Sequence, residues 1–338
     1  MFYTTLIRLS TLTMYKGEIF FRIHSYKKTR HVSRCLELAI LFEVSAGKPG
    51  NVNLIVGFER TRYEHFLASA VAARSYFEWA VERGVEVSRG ETKIGDVGLG
   101  RIIRDCVVDI TAWQGGGNTL LGTVILLSPI AVAAGMTSIE EGRVLEIPEL
   151  RENLRLVVES TTPEDAVDVY EAIKIANPSG LGKAPDLDIN DSNSIDRIRE
   201  DKVTLYDTFV IASKYDTICS EWTKNYPITF DVAYPYLMEQ ITEIEDLSGA
   251  IIHTFLKVLA EYPDSFIARK IGIEKAREVS SMAKGVLELG GLETSKGKQR
   301  LREFDLELRK SSNLLNPGTT ADIIAAALAL AILGGYRP

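Results

Sequence analysis

Six short stretches of this 338-residue chain place polar side chains at the predicted ends of apolar helices. In the first of them, EVSAGKPGNVN, a Pro-Gly turn must end the apolar run CLELAILF, so that the backbone leaves the core. Its polar members Glu43, Lys48, Asn51 and Asn53 could face a ligand or form a solvated turn, and the stretch alone leaves both open. The six stretches are residues 43–53, 115–119, 177–188, 207–216, 264–270 and 316–322.

The glycine-rich stretch WQGGGNTLLG resembles a phosphate-binding turn. Gly117, Asn118 and Thr119 come just before an apolar helix, and glycines let backbone N–H groups approach an anion at a helix N-terminus. The stretch is not a Walker motif, because the lysine followed by serine or threonine is missing. A flexible hinge between two packed helices explains the same residues equally well.

Two further stretches carry side chains that suit a nucleotide. In PDSFIARKIG, Asp264 precedes Arg269 and Lys270, whose cationic groups would suit a triphosphate, although an ion pair with a neighbouring helix is the alternative. In NPGTTADII, Asn316 precedes an apolar helix and Asp322 lies in its first turn. Complementing the dipole of that helix is a sufficient structural reason for Asp322.

A pair of acids on one helix face is a candidate metal site. Asp105 and Asp109 are four residues apart on the helix before the glycines, so they share a face. Their oxygens could hold Mg²⁺. Pairs of acids on solvated helix faces are also common, and this alternative stays open.

The bulk composition argues against several other classes of protein. The net charge of -7 is modest and the basic residues are scattered, which disfavours a nucleic-acid-binding protein. The three cysteines lie far apart, which predicts reduced thiols, a cytoplasmic location and no zinc site. The four histidines lie outside the six stretches, so nucleophilic acyl chemistry is not expected. The apolar runs 120–135 and 323–333 are shorter than the roughly 20 residues that cross a bilayer, which predicts buried helices and no membrane span.

Helical periodicity after residue 31 predicts an all-α fold, a large single-domain multi-helix bundle over residues 31–338. Residues 1–30 are expected to form a small irregular or β-like N-terminal extension, with a β-like patch at 19–23. A long helix should begin with Thr61 and Glu64 in a capping box and end at Gly84. The loop 179–194 could join two halves or cover a site. Further helices are predicted at 98–113, 120–135, 162–177, 195–224, 231–260, 274–289, 297–312 and 320–334.

Four of the motifs, EVSAGKPGNV, GGGNT..G, PDSFIARK and NPGTTADII, resemble in their order the motifs of the triphosphoribosyl-dephospho-CoA synthase family, over about residues 33–334. The resemblance implies an all-α enzyme that moves the ribose-5-triphosphate of ATP to the 2′-hydroxyl of 3′-dephospho-CoA and releases adenine. It carries family roles onto five positions of this chain: Glu43, Lys48, Asn118, Asn316 and Asp322.

Two departures from the family pattern set this chain apart. Leu120 and Leu121 stand where the family has histidine and lysine, and Asn53 stands where an acid is usual. The chain is therefore similar to the divergent, archaeal-type branch of the family. A relative acting on another acceptor, as in methanopterin biosynthesis, and a non-catalytic nucleotide-binding scaffold remain as alternatives.

Breaking an N-glycosidic bond requires carboxylates near the ribose and cations near the triphosphate, because the transition state resembles an oxocarbenium ion. The substrates would be ATP and a CoA-like nucleotide, with Mg²⁺ as cofactor. Phosphoryl transfer or hydrolysis at the same site would give ADP or pyrophosphate in place of adenine, and the two very apolar helices could partly serve a homodimer interface. The candidate carboxylates are Glu43, Asp207, Asp216 and Asp264; the candidate cations are Lys48, Arg269 and Lys270; the candidate metal ligands are Glu43, Asp105 and Asp109.

Overall fold

The structure, a computed structural model, describes residues 26–139, 144–182, 184–244, 246–311 and 313–338. These residues form fifteen α-helices, and their only β pairing is a single bridge between Ile139 and Leu145. The all-α class predicted from the sequence is therefore confirmed. The predicted β-like patch at 19–23 lies outside the described residues, whereas residues 26–30 belong to the first helix.

The helices follow one another along the chain with short connections. The first eight are α1 (26–45), α2 (Tyr63–Ser88), α3 (Leu99–Trp113), α4 (Leu121–Met136), α5 (Ile147–Glu159), α6 (Pro163–Ala176), α7 (Ser194–Glu200) and α8 (Leu205–Ala212). The remaining seven are α9 (Thr217–Thr223), α10 (Tyr234–Glu243), α11 (Leu247–Glu261), α12 (Ser265–Ile271), α13 (Ile273–Glu288), α14 (Ser295–Arg309) and α15 (Gly318–Leu333). A 3₁₀ turn covers Ile94–Asp96, and a π-helical segment covers Ile228–Ala233.

Several predicted boundaries are wrong, and capping residues explain most of the differences. The single helix expected at 195–224 is three helices, because Thr204 and Asp216 each cap a new start. The helix expected at 231–260 is likewise divided, with Asp246 capping α11. The capping box of α2 uses His65, whose Nδ1 accepts the Arg62 N–H at 3.1 Å, and not Thr61 with Glu64.

The two most apolar helices, α4 and α15, form the centre of the molecule. Nearly every residue of each is buried, and they pack against each other. Helices α2 and α5 cover α4, while α10, α11 and the π-helical segment cover α15. The expectation that these runs are buried helices is confirmed. No helix in the described part of the chain is long and apolar enough to cross a membrane.

A proline inside α4 leaves one backbone carbonyl of that helix without a donor, and a side chain of α9 supplies one. Pro129 has no N–H, so the carbonyl of Ile125 loses its helical partner. The indole Nε1 of Trp222 donates to that carbonyl at 3.2 Å, and the hydroxyl of Tyr226 donates to the Leu126 carbonyl at 3.2 Å. Both aromatic side chains are buried. They therefore fix α9 and the turn after it against α4.

Helix α2 crosses α4 at a pair of glycines that face each other. A Cβ atom at Gly84 would overlap the carbonyl oxygen of Val132, and one at Gly135 would overlap the carbonyl oxygen of Val81. The close approach of the two backbones therefore requires a residue without a side chain at position 84. Gly84 lies inside α2, which ends at Ser88 and not at Gly84 as predicted.

We expect Gly84→Ala and Gly135→Ala each to lower the free energy of unfolding by about 1–3 kcal/mol or more, since the added methyl forces the two backbones apart. The control is Gly285→Ala in α13, where a Cβ would meet open space. That change should raise the stability by about 0.5–1 kcal/mol through helix propensity alone. Urea unfolding measures all three, and equal effects at the three sites would contradict the predicted crossing.

Candidate active site

A cavity of about 450 Å³ opens where the N-termini of α4 and α15 meet the end of α1 and the starts of α9 and α12. Its volume is in the range of small-molecule sites. Five of the six polar stretches predicted from the sequence meet here through the side chains that had been selected. The selected residues that line it are Glu43, Asn51, Asn118, Thr119, Asp216, Arg269, Asn316 and Asp322.

Glu43 lies at the end of α1 and is held by a buried lysine. The Nζ of Lys48 is 3.0 Å from Glu43 Oε1 and also donates to the carbonyls of Glu43 and Ala46. These three acceptors account for all three N–H groups of a lysine. Burial raises the pKa of Glu43, and the charge of Lys48 opposes this. Lys48 is fully buried, does not line the cavity, and positions Glu43 in the cavity wall.

The turn after Lys48 is fixed from outside by α14. The Gly50 N–H donates to Asp305 Oδ1 at 2.8 Å, and Arg309 Nη2 donates to the Asn51 carbonyl at 2.7 Å. Gly50 has φ of 72°, which favours glycine. The Oδ1 atom of Asn53 accepts the N–H groups of Ile55 and Val56, each at 3.0 Å. Asn53 thereby closes its own turn, and it does not line the cavity.

The glycine loop before α4 is tied to α2. Thr61 donates to the Gly116 carbonyl at 2.6 Å, and the hydroxyls of Ser69 and Thr119 lie 2.7 Å apart. Asn118 Oδ1 accepts the N–H of Leu121 at 3.2 Å, in the first turn of the helix. These bonds hold the N-terminus of α4 in the cavity wall. Gly117 has a positive φ and does not line the cavity.

Asp322 is a carboxylate of the cavity wall whose pKa is strongly raised. Its Oδ1 accepts the hydroxyl of Thr123 at 2.6 Å, and its Oδ2 occupies the space over Gly122 where a side chain would stand. Burial raises the pKa of Asp322 to about 8, the carboxylates of Glu43 and Asp264 add to the shift, and the Thr123 hydrogen bond opposes it. Complementing the dipole of α15 does not by itself explain a carboxyl group whose pKa is raised this far.

Asp264 lies behind the cavity wall and joins two helices. Its Oδ1 accepts the N–H groups of Phe266 and Ile267 at 2.9 and 3.0 Å, which caps α12. Its Oδ2 accepts the N–H and the hydroxyl of Thr320, both at 2.8 Å, at the start of α15. Asp264 is 1% exposed and does not line the cavity. Burial raises its pKa, and the bonds from Thr320 and Ile267 oppose the rise.

Arg269 lines the cavity, as does the second arginine Arg60, and contributes positive charge to its wall. One of its Nη atoms donates to Asp216, which also caps α9 through the N–H groups of Ile218 and Cys219. Its buried Nε atom has no hydrogen-bond partner, and neither has the buried Oδ1 of Asn316. Burial lowers the pKa of Arg269, while the nearby charge of Asp322 opposes this. The orphaned atoms are polar groups that a ligand could satisfy.

Four other predicted residues do not line the cavity. Asp207 is exposed and forms the capping box of α8 with Thr204. Lys270 donates to the Asn313 carbonyl at 2.5 Å and lies over the Phe266 ring. Asp105 binds Arg104 at 2.8 Å and Arg101 at 3.5 Å, and Asp109 is on the same helix, α3. The described ranges contain no group of three or more His, Cys, Asp or Glu side chains that could hold a metal ion.

Sequence reasoning did not select the apolar side of the cavity. The residues there come from α6, α8 and α9, and from the loop after α6 that was expected to link two halves or cover a site. The described residues 177–182 and 184–190 of this loop supply much of the lining. Only the turn-forming composition of the loop gave a signal, because isoleucines facing a cavity cannot be distinguished in sequence from isoleucines in a core.

Three comparisons relate this chain to known proteins. A sequence model of the family described as ATP:dephospho-CoA triphosphoribosyl transferase matches residues 29–338. A curated relative from Pseudomonas fluorescens, named "Probable 2-(5''-triphosphoribosyl)-3'-dephosphocoenzyme-A synthase", is 26% identical over 110 residues, or 32% of this chain and 37% of that protein. A crystal structure from Archaeoglobus fulgidus, described as a triphosphoribosyl-dephospho-CoA synthase, has a TM-score of 0.56 and 21% identity, over 80% of this chain and 100% of that chain. The curated match thus spans little more than a third of the relative's length, and the likeness to the crystal structure concerns the fold.

We expect Lys48→Met to lower the free energy of unfolding by about 3–5 kcal/mol, because it leaves Glu43 buried without its partner. The double variant Glu43→Gln/Lys48→Met should recover much of this loss, since it carries no unpaired charge. Lys284→Met, whose side chain is 68% exposed in the native protein, is the control. Native stability of Lys48→Met together with weakened ATP binding would instead support the phosphate contact suggested by the sequence.

The raised pKa of Asp322 predicts a pH-dependent stability. Its pKa is 3.8 when unfolded and about 8 when folded, so the folded state binds more protons between these values. The contribution of Asp322 to stability is therefore unimpaired below pH 4 and falls as pH rises to about 8, by at most about 1.4 kcal/mol per unit. In urea unfolding with a chelator present, Asp322→Asn should gain on the native protein from pH 5 to pH 8. A constant difference over that range would contradict the shift.

Proposed function

The chain belongs to the family of ATP:dephospho-CoA triphosphoribosyl transferases, and on this premise we propose that it transfers the 5-triphosphoribosyl group of ATP to the 2′-hydroxyl of 3′-dephospho-CoA and releases adenine. The observation that carries the proposal is the meeting of the family's separate motifs at one cavity. Glu43, Asn118, Arg269 and Asp322 are far apart in sequence and line the same space. A cavity lined by the carboxyl groups of Glu43, Asp216 and Asp322 and by two arginines suits a sugar cation and a polyphosphate.

The triphosphate is assigned to the end of the cavity between α4 and α15. Both helices are sixteen residues long and present their N-termini there, where unpaired N–H groups and the helix dipoles favour anions. Arg269 adds a guanidinium whose Nε atom has no protein partner. Together these groups offset the negative charge that a triphosphate brings into a buried site.

Mg²⁺ fits the pair Glu43 and Asp322 better than the surface pair Asp105 and Asp109. Glu43 and Asp322 both line the cavity, and the charge of Glu43 helps to raise the pKa of Asp322, so a cation would relieve their repulsion. Mg²⁺ in nucleotide enzymes commonly takes one or two carboxylates and completes its shell with phosphate oxygens and water. When bound, it would neutralise charge on the triphosphate.

The remaining carboxylate of the selected set, Asp216, is assigned to the reacting ribose. Cleavage of the glycosidic bond places positive charge on the sugar, which a carboxylate stabilises. Asp216 accepts the N–H groups of Ile218 and Cys219 at the start of α9 and a hydrogen bond from Arg269, so it is held in place. The same group can accept the proton that the attacking 2′-hydroxyl loses.

The two departures from the family pattern bear differently on this proposal. Asn53 closes its own turn outside the cavity, so the acid that is usual at this position is not missing from the cavity wall. Leu120 and Leu121 do line the cavity. The wall that carries histidine and lysine in other members is therefore apolar here, and the proposed chemistry relies on Arg269 and the helix N-termini instead.

The direct test is incubation with ATP, Mg²⁺ and 3′-dephospho-CoA, followed by chromatography for free adenine. We expect Asp322→Asn and Arg269→Met to lower kcat/KM by about 100-fold or more, because each removes a charge that faces the reacting groups. The matched controls Asp201→Asn and Arg277→Met, both on the surface, should keep the native value.

Products other than adenine, or no product at all, would point to a different function. ADP or pyrophosphate in place of adenine would indicate phosphoryl transfer or hydrolysis. A lack of adenine release at high enzyme concentration would overturn the proposed reaction for this acceptor. Binding of ATP without any product would favour the non-catalytic alternative.

A further inference from the structure

The cavity has a second end, whose walls are apolar. Helices α6 and α8 pack against each other there, and α9 packs on α8 at one side and on α4 and α15 at the other. The apolar end is therefore separated from α15 by the width of α9. Six of the residues that line it are Tyr170, Ile173, Leu181, Phe209, Ile211 and Ile218.

The loop after α6 forms the roof of the apolar end. The hydroxyl of Tyr170 donates to the Leu187 carbonyl at 2.7 Å, and Leu187 is 6% exposed. On the far side, a Cβ atom at Gly180 would come within 2.7 Å of Lys270 Cγ, so the roof reaches α12. The polar side chains of Asn177 and Asn190 also face the cavity. The roof thus adds hydrogen-bonding groups to an aliphatic floor.

Three aliphatic side chains of this end keep part of their surface free. Ile173, Leu181 and Ile211 are only half-buried although helices and the roof surround them. A ligand that covers them removes this apolar surface from water, which favours binding. The free surface therefore favours a ligand with an apolar segment at this end.

We infer that the apolar end binds the pantetheine arm of 3′-dephospho-CoA, which rests on the function proposed above. The arm is a flexible chain in which methylene groups alternate with amides. Its methylenes match Ile173, Ile211 and Ile218, and its amides match Asn177 and Asn190 in the roof. The 2′-hydroxyl of the same molecule must reach the charged end of the cavity, between α4 and α15. A long acceptor would therefore span the cavity, and its arm would let the protein select it over shorter nucleotides.

The base of ATP is the competing occupant of this end. A purine ring is flat and binds well against an open aromatic face, whereas this end has mainly branched aliphatic side chains and an irregular loop, and Tyr170 is only 6% exposed. The aromatic ring of Phe209 is already used, because it packs edge-on against Trp222 at 4.8 Å between ring centroids. The shape of the walls therefore favours the arm over the base.

The test uses the full chain and two variants that alter the apolar end in different ways. Ile211→Asp places a charge in the floor, and Ile173→Trp fills the space. Their matched controls are Val210→Asp and Ile175→Trp, which replace neighbouring side chains that are 45% and 40% exposed and do not line the cavity. Calorimetry with 4′-phosphopantetheine measures binding of the arm alone, and steady-state kinetics give KM for dephospho-CoA and for ATP.

Both cavity variants should raise the Kd of 4′-phosphopantetheine and the KM of dephospho-CoA at least about tenfold, and leave the KM of ATP unchanged. The controls should match the native protein. Circular dichroism identifies a variant that does not fold, and the other variant then decides. Absence of 4′-phosphopantetheine binding to the native protein, or equal binding by a folded cavity variant, would overturn the inference. A rise in the KM of ATP alone would assign the apolar end to adenine.

The two proposals fail separately. Adenine release with an unchanged KM for dephospho-CoA in both folded cavity variants refutes the pantetheine subsite and leaves the reaction. Binding of 4′-phosphopantetheine that Ile211→Asp abolishes, in a protein that releases no adenine, refutes the reaction and leaves the subsite.

Discussion

The geometry of the cavity depends on one buried carboxylate that is shared between two helix starts. Asp264 gives one oxygen to α12 and the other to α15, and these helices carry Arg269 and Asp322 respectively. Helix starts have N–H groups without helical partners, and leaving them unpaired in the core would be costly. The connection continues to α9, because the Ser265 hydroxyl accepts the Thr217 N–H at 3.1 Å. Three walls of the charged end are thereby held in register by hydrogen bonds within the protein.

The sequence predicted the helical class, the central helices and the motifs that meet at the cavity. Helical periodicity is a strong signal, and α4 and α15 are apolar all round, which leaves burial as the explanation. The roles within the motifs were harder to predict. Lys48 has the residue type of a phosphate ligand, yet its amine folds back onto carbonyls of its own turn. Asp264 has the residue type of a catalytic acid and serves as a cap. Residue type and spacing do not reveal the direction of a side chain.

The chain therefore separates residues that hold the site from residues that face it. Lys48 and Asp264 are buried and hold the site from behind, while the carboxyl groups of Glu43 and Asp322 lie in the cavity wall. Burial and the charge of Glu43 raise the pKa of Asp322, and a bound cation or a cationic sugar would favour the ionised forms of both carboxyl groups. The breaks between α7, α8 and α9 were also missed, since a short polar cap inside a helical pattern weighs little against the pattern. Those breaks turn the apolar residues of α8 and α9 toward the cavity.

The proline in α4 has a consequence for how this sequence can vary. Because Pro129 leaves the carbonyl of Ile125 without a helical donor, the indole at position 222 supplies the missing donor. A chain with another residue at position 129 would restore the helical bond, and position 222 would no longer need a side chain that donates a hydrogen bond. The two positions, far apart in sequence, should therefore change together among relatives, and an alignment in which tryptophan at 222 accompanies proline at 129 would record a hydrogen bond as a correlation.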